Sequence, residues 1–474
     1  VDEKLIQSVV SAVLARLKEQ TAAVESGKTG FGVYDRMEDA VEAAHASFQK
    51  LTQAGVTARK KAIQVIRKMA AENARAWGQL EFDETTIGRL DHKIEKLAIC
   101  SDLVPGVEML ERQAFSGDFG LTIIDFAPWG VIGAVTPSTH SVPTLTGNAI
   151  NMIAAGNAVV FNTHPSASNC AATAIHAYNE AIYRETGITD LLCTVRKPTL
   201  ETFDAMCKHP HVRLLCVTGG PGVVKAAMQT GKRAICAGPG NPPVVVDETA
   251  DLDRAARSII QGAAYDNNLL CIGEKEVFVV EKAFAGLVDA LKRAGAVQLD
   301  AAQVDALTKV AFTTKDGAAA GCGGHPVLNK KLVGQDAAFL ASQIGLTVPP
   351  STQLLFGETT EDHVFVQEEQ MMPFIPIVRV PDVDAGIAAA VRAEHGYKHT
   401  AIMHSRDITS LTKMAQLADT TLFIKNGPCM TGLGLGGEGF LSFSIATPTG
   451  EGVTTPMTFT RSRRCVMVEN LNLY

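Results

Sequence analysis

Leu5, Ile6, Val9, Val10, Val13, Leu14 and Leu17 recur at three- and four-residue intervals, while Asp2, Glu3, Lys4 and Arg16 fall largely off that stripe. The spacing predicts a short amphipathic helix. From Lys18 to about Gly32 the chain turns polar and glycine-bearing, as a flexible tether does. So short a helix needs a surface to cover its apolar face. Its own protein and a partner are both open as that surface. A second stripe, Met37, Ala40, Val41, Ala44 and Phe48, opens a helical stretch over residues 35–100. From Leu121 to Val135 the pattern becomes strand-like, interrupted at Pro128-Trp129-Gly130. Short apolar runs at Ala158 to Phe161 and Val212 to Val217 are each followed by a helical pattern, around Ala167 to Tyr183 and Pro221 to Gln229. Val244 to Val246 adds another run. Asp251 is placed to cap a helix whose stripe includes Ala255, Ile259 and Ala263, and Glu276 to Val280 reads as a strand. Strands alternating with helices predict an α/β fold with a mostly parallel sheet covered on both faces. The alternation continues to about residue 425, with glycine-rich stretches at Gly317 to Gly324 and Gly432 to Gly439. The runs Gly452 to Thr460 and Cys465 to Glu469 have the length of edge strands that can pair with another subunit.

Composition narrows the class. The 474 residues are 46% hydrophobic and 20% charged, enough for a large core split into two or three domains. A formal net charge of −7 is a poor match for nonspecific nucleic-acid binding. The tight basic cluster Arg461, Arg463 and Arg464 reads as a solvated or subunit-contact face. No stretch reads as a membrane span, and Asp2, Glu3 and Lys4 do not read as the start of a secretory signal. Ten cysteines without a CxxC pair are not a disulfide framework. Cys100, Cys170, Cys193, Cys207, Cys216, Cys236, Cys322 and Cys465 read mainly as small buried apolar groups, suited to a reducing cytosol. His140, His164, His399 and His404 lie in separate segments with no metal-ligand spacing, so no metal is expected and each reads first as a structural histidine.

Cys271 is different. It lies between a helical pattern and a strand, in Tyr265-Asp266-Asn267-Asn268-Leu269-Leu270-Cys271-Ile272-Gly273-Glu274-Lys275. Reactive groups are often held at such junctions. A thiol attacks as thiolate, with an ordinary pKa of about 8.5, and each unit of depression represents about 1.4 kcal/mol. Backbone donors or Lys275 can supply that, and an inert buried thiol is the alternative reading. Val217-Thr218-Gly219-Gly220-Pro221-Gly222 reads as strand end, glycine turn and helix start, whose free amides can hold phosphate. The full GxGxxG fingerprint is missing, so a tight structural turn is equally compatible. Ala237-Gly238-Pro239-Gly240-Asn241-Pro242-Pro243 reads as a rigid loop. Glu368 and Glu369 can grip ribose hydroxyls, or form an ordinary solvated pair.

Together these segments resemble the aldehyde dehydrogenase superfamily over essentially the whole chain, most closely its CoA-acylating branch in bacterial microcompartments. The strongest segments are Asn267 to Lys275, Ala237 to Asp247 and Lys425 to Gly439. The resemblance implies a Rossmann-like cofactor domain, an α/β catalytic domain and a small β extension for oligomerisation, with the active site between the two large domains. It implies a targeting helix at 1–17, a linker at 18–32 and a cofactor domain at 33–245 with oligomerisation strands near 115–128. The catalytic domain follows at 246–428, and 429–474 returns to the cofactor domain and oligomerisation strands. The resemblance makes Cys271 the nucleophile and Pro137, Ser138, Thr139 and His140 the loop beside the substrate oxygen. Thr139 and His140 are thereby assigned to catalysis. Pro137, Ser138, His164, Thr218, Gly219, Gly220, Gly238 and Glu369 are assigned to the cofactor, Glu369 to the nicotinamide ribose.

The implied chemistry converts a short-chain aldehyde, with propionaldehyde expected, plus CoA and NAD into acyl-CoA and NADH. Cys271 thiolate forms a thiohemiacetal, hydride leaves for the nicotinamide, and CoA thiolate takes the acyl group. Each step is reversible. Hydrolytic relatives carry a glutamate before Leu-Gly-Gly where this chain reads Ala237-Gly238-Pro239-Gly240, so water lacks its general base here. Related acylating enzymes often read Thr-Asn-Pro where this chain has Thr139-His140-Ser141, which leaves the loop's role open. The terminal helix resembles tags that dock on a microcompartment shell or cargo protein. The implied location is the cytoplasm, inside a microcompartment, as a homodimer or homotetramer. The alternatives are a hydrolytic NAD(P)-dependent dehydrogenase releasing a carboxylic acid and a catalytically inactive compartment scaffold.

Overall fold

A computed structural model describes residues 31–314 and 326–471. The expected targeting helix at 1–17, the tether up to residue 30, the Gly317 to Gly324 insert and Cys322 lie outside the described residues. The chain divides into two compact units: residues up to 85 with 93–238 and 440 onward, and residues 86–92 with 239–439.

The first unit is built on a six-stranded parallel sheet. Its spatial order is Val33–Tyr34, Leu192–Val195, Ala158–Thr163, Val131–Thr136, Val212–Thr218, Arg233–Ala237. Its inner strands are buried except at Arg213, because helices cover both faces. The helices include Met37–Thr85, interrupted at Gly55, and the apolar Ser141–Ala154. From Val131–Thr136 the chain winds outward one way and then the other. The order therefore reverses between Val131–Thr136 and Val212–Thr218, and the carboxyl ends of those strands frame the crevice where such sheets bind ligands. A separate antiparallel sheet joins Gln113–Gly117, Gly120–Pro128 and Thr460–Val468, the last two paired over nine residues. Phe115, Phe119, Val466 and Val468 are exposed on it. Cys465 lies on its edge strand and is exposed, which corrects its reading as a buried apolar group.

The second unit has seven parallel strands in the order Val297–Leu299, Leu355–Thr359, Phe374–Val380, Glu276–Val280, Pro243–Val246, Thr400–His404, Leu422–Lys425. Asp251 caps the helix Leu252–Ala263 by accepting from the Arg254 amide at 3.0 Å. All strands run the same way, so the segments entering them lie along one edge. Gly240, Cys271, Glu369 and His399 each stand a few residues before one of the central strands, Pro243–Val246, Glu276–Val280, Phe374–Val380 and Thr400–His404. This edge gathers residues distant in sequence.

Candidate functional site

In the second unit, the helix Leu252–Ala263 ends and the chain turns through Asp266, Asn267 and Asn268, all left-handed, with φ of 50°, 54° and 65°. Three such non-glycine residues in succession need external support. The Asp266 carboxylate accepts from the Arg89 amide at 2.8 Å, and the Asp266 amide donates to His92 Nδ1 at 2.8 Å. Asn267 Nδ2 donates to the Gly334 carbonyl and the Asp336 carboxylate, both at 2.9 Å. Asn268 Nδ2 donates to the Ala263 and Glu274 carbonyls at 2.9 and 2.8 Å. Side-chain amides and carboxylates thus hold a turn that backbone preference alone would not, and they present Cys271.

Cys271 is partly accessible, and the other described cysteines except Cys465 are buried. Its dense surroundings push the thiol up to about 12, and Glu369 adds to that; Lys275 and the amides of Cys271 and Ile272 oppose it. The two amides donate toward the sulfur, which suits a thiolate or an oxygen bonded next to it. Lys275 is fully buried, with Nζ donating to the Asn268 carbonyl at 2.9 Å and to Asn268 Oδ1, and it stands 4.0 Å from Glu369 Oε1. Burial disfavours both charges of the Lys275–Glu369 pair, and each partner offsets part of that cost for the other. The nearby Gly240 amide also favours the ionised form of Glu369. Gln370 Nε2 ties the loop down by donating to the Lys275 carbonyl at 2.8 Å.

Beside Gly240 lie the Cys271 carbonyl and the His399 ring; a Cβ at Gly240 would stand 2.5 Å from the carbonyl oxygen and 3.0 Å from His399 Cγ. Burial, then Lys275, lower the His399 pKa to about 4, so its imidazole is neutral at physiological pH. Its Nδ1 meets Thr400 Oγ1 at 2.9 Å, and its Nε2 has no partner among the described residues. The sequence reading took His399 for a structural histidine and missed this placement. Glu274 accepts from the Cys429 amide at 3.0 Å and is raised to about 8 by burial, while Glu276 is fully buried with neither oxygen partnered among the described residues. The available signal was the charged run Glu274-Lys275-Glu276 leading straight into an apolar strand. Cys429 is buried against this carboxyl group.

In the first unit, Pro137 to His140 follow the strand Val131–Thr136 and lead into the helix Ser141–Ala154. Two buried lysines converge on the Thr139 carbonyl, Lys93 Nζ at 3.2 Å and Lys96 Nζ at 3.3 Å. Glu81 balances them, pairing with Lys93 at 3.0 Å and accepting the Val142 amide at 2.8 Å. His140 is buried, with its ring 5.5 Å from that of Phe443. The sequence reading missed this Lys-Lys-Glu clamp because its members lie far from the loop they fix. Thr218 ends the neighbouring strand and shares a hydrogen bond with Ser444 at 2.7 Å. Gly219 approaches Val223, where a Cβ would be 2.9 Å from Cγ1, whereas a Cβ at Gly220 or Gly222 would meet nothing within 4 Å. Packing within the chain therefore does not require glycine at 220 or 222, and the space there is open to close approach of a ligand. Gly220 precedes the helix Pro221–Met228 at the switch point, with Pro221 at its first position, and this arrangement fits a dinucleotide's phosphates. Gly238 lies against Pro448, and His164 is exposed after its strand, its Nδ1 2.8 Å from Ser166 Oγ. Pro137, Thr139, His140, Thr218, Gly219 and Gly220 thus share the carboxyl edge of one sheet, and Cys271 and Glu369 share the amino edge of the other. Among the described residues no group of histidine, cysteine and carboxylate side chains could hold a metal ion.

The aldehyde dehydrogenase family profile matches residues 18–435. The chain belongs to the aldehyde dehydrogenase family. It stands within the CoA-acylating branch. An acetylating acetaldehyde dehydrogenase of Bilophila wadsworthia is 44% identical over 479 residues, covering 99% of this chain and 98% of that protein. The crystal structure of Rhodopseudomonas palustris propionaldehyde dehydrogenase, with bound CoA and an acylated cysteine, superposes with a TM-score of 0.90 at 43% identity, over 94% of this chain and 100% of that one. A propionaldehyde dehydrogenase from the fucose utilisation bacterial microcompartment of Clostridium phytofermentans superposes equally, with a TM-score of 0.90 at 41% identity over 94% and 100%. The family membership and the two parallel sheets agree with the expected α/β architecture. No helix among the described residues is long and apolar enough to cross a membrane.

Proposed function

We propose that this chain oxidises acetaldehyde or propionaldehyde and passes the acyl group to CoA through a thioester on Cys271. One observation carries the reading: a partly accessible thiol with two backbone amides aimed at it and a neutral imidazole on the same edge, while Ala237 to Gly240 carries no carboxylate to serve as general base for water. The first unit takes the cofactor at the Thr218-Gly219-Gly220 turn, with Pro137, Ser138, His164, Gly238 and Glu369 as further contacts. NAD, when bound, accepts the hydride.

Cys271 loses its proton and adds to the aldehyde carbon. The amides of Cys271 and Ile272 stabilise the oxyanion of the thiohemiacetal, where one such donor is worth about 3 kcal/mol. Thr139 and His140 are assigned to the substrate's oxygen, their loop held rigid by Lys93, Lys96 and Glu81. After hydride loss the acyl group rests on Cys271. His399, neutral and with Nε2 unpartnered among the described residues, takes the proton of the incoming thiol, and the thioester exchanges to CoA.

The relatives named above act on two- and three-carbon aldehydes. A methylene is worth only about 1–3 kcal/mol in a pocket, so both substrates are within reach. The microcompartment relative supports a cytoplasmic compartment as the setting, with residues 1–17 as the docking helix. The exposed apolar sheet of Phe115, Phe119, Val466 and Val468 supports a homodimer or homotetramer. Product analysis with and without CoA tests the activity: acyl-CoA in proportion to NADH is expected, and free carboxylic acid at the same rate without CoA would overturn it. Cys271→Ala is expected to abolish both products while cofactor binding persists.

A further inference from the structure

Lys275 Nζ turns back seven residues to bond the Asn268 carbonyl and side chain. It thereby closes the loop whose middle residue is Cys271. Two of its contacts are neutral oxygens of Asn268. The nearest carboxylate, Glu369 Oε1, is 4.0 Å away, beyond an ordinary hydrogen bond. The Glu369 loop is nonetheless pinned to the same peptide, through Gln370 Nε2 on the Lys275 carbonyl at 2.8 Å and the Gly334 amide on the Met371 carbonyl at 2.9 Å. Gly334 also receives Asn267 Nδ2, so the turn before Cys271 and the loop bearing Glu369 share one support.

The other titratable groups around this pair are Glu274, Glu276, Cys429, His399 and Tyr397. Burial raises Glu274, Glu276 and Cys429 and lowers His399, in each case favouring the neutral form. Lys275 thus pairs with Glu369 on one side and closes the loop that carries Cys271 on the other.

We propose that Lys275 is a positioning residue shared between Glu369 and Cys271, so that neutralising or engaging Glu369 releases the cation to the Cys271 thiolate. The proposal rests on Cys271 as nucleophile and on Glu369 as a cofactor contact, and it deepens that reading. A ligand hydroxyl that donates to Glu369 draws on the carboxylate's charge, and the sulfur then becomes the better partner for Lys275. The thiol proton leaves to solvent. Nucleophile activation is thereby tied to an occupied site, and the thiol stays protonated and unreactive when the site is empty.

The test is the pH dependence of alkylation of the Cys271 peptide by iodoacetamide, read by mass spectrometry on the full chain without substrate. Glu369→Gln is expected to lower the midpoint by about one unit, and so to speed alkylation about tenfold below the midpoint. Lys275→Met is expected to slow it about tenfold or more. In the double variant the gain from Glu369→Gln is expected to vanish. An unchanged rate in Lys275→Met, or the same gain from Glu369→Gln in both backgrounds, would overturn the shared cation. Should Lys275→Met not fold, Glu369→Gln decides with Lys275→Arg as a charge-keeping control: an unchanged or raised midpoint in Glu369→Gln overturns the proposal. Turnover of Cys271→Ala tests the reading beneath it separately, because alkylation needs neither aldehyde nor CoA.

Discussion

Gly240→Ala places one methyl group at a tight point of the second unit's edge. The added Cβ would lie 2.5 Å from the Cys271 carbonyl oxygen, where ordinary contact begins at 3.4 Å, and 3.0 Å from His399 Cγ. Neither neighbour is the free end of a flexible side chain. One is backbone and the other is a buried ring anchored on Thr400. The Gly240 amide also favours the Glu369 charge, so a retreat of Gly240 weakens the support of that carboxylate. Relief therefore requires a shift of about 0.9 Å shared among three groups, with an overpacking cost of about 1–3 kcal/mol. A misplacement near 1 Å at reacting atoms lowers turnover about 100-fold. The expected result is kcat for NADH formation down about two orders of magnitude, a lower Tm, and cofactor affinity changed far less. Wild-type kcat together with wild-type Tm would refute the reasoning, because the crowding around Cys271 would then not exist in solution.

Four further outcomes are expected. His399→Gln should slow acyl transfer to CoA at least tenfold, while a single burst of NADH, one per chain, persists; equal loss of burst and steady state would remove His399 from the second half-reaction. His399 and His404 are both lowered to about 4, so the unfolded chain binds protons between pH 6.5 and 4 that the folded one excludes, and stability falls as pH falls through that window. Glu274 acts in the opposite sense: its proton is held in the folded state up to about 8, so its contribution is full below 4.5 and lost as pH rises through 8. Glu274→Gln should therefore lessen the drop in Tm between pH 6.5 and 8.5, and an equal drop in both proteins would count against a protonated Glu274. Removing residues 1–17 should leave turnover intact and abolish co-localisation with microcompartment shells; undiminished co-localisation would discard the docking role.

Much of the fold is legible in the chain because parallel strands buried on both faces must be short, continuous apolar runs. Val212–Thr218 and Glu276–Val280 stand out for that reason. Cys271 is legible because it interrupts such a pattern without joining a core stripe. His399 is not, because its role comes from sheet register, which brings the start of Thr400–His404 beside residues about 160 positions earlier. The Lys93–Lys96–Glu81 clamp is hidden likewise: each member sits in an ordinary helical pattern, and only packing turns them toward Thr139. The exposure of Cys465 follows from strand pairing, since Thr460–Val468 has a partner on one side only. The left-handed run Asp266 to Asn268 has a faint trace in the preference of Asp and Asn for that conformation.

The central claim is that Cys271 bears the acyl group between hydride loss and CoA. Mass spectrometry of the peptide containing Cys271, after brief exposure to propionaldehyde and NAD with CoA withheld, tests it most directly. A propionyl adduct on that peptide, lost on adding CoA as propionyl-CoA appears, is the expected result. An unmodified Cys271 in an enzyme shown to have formed NADH would contradict the account.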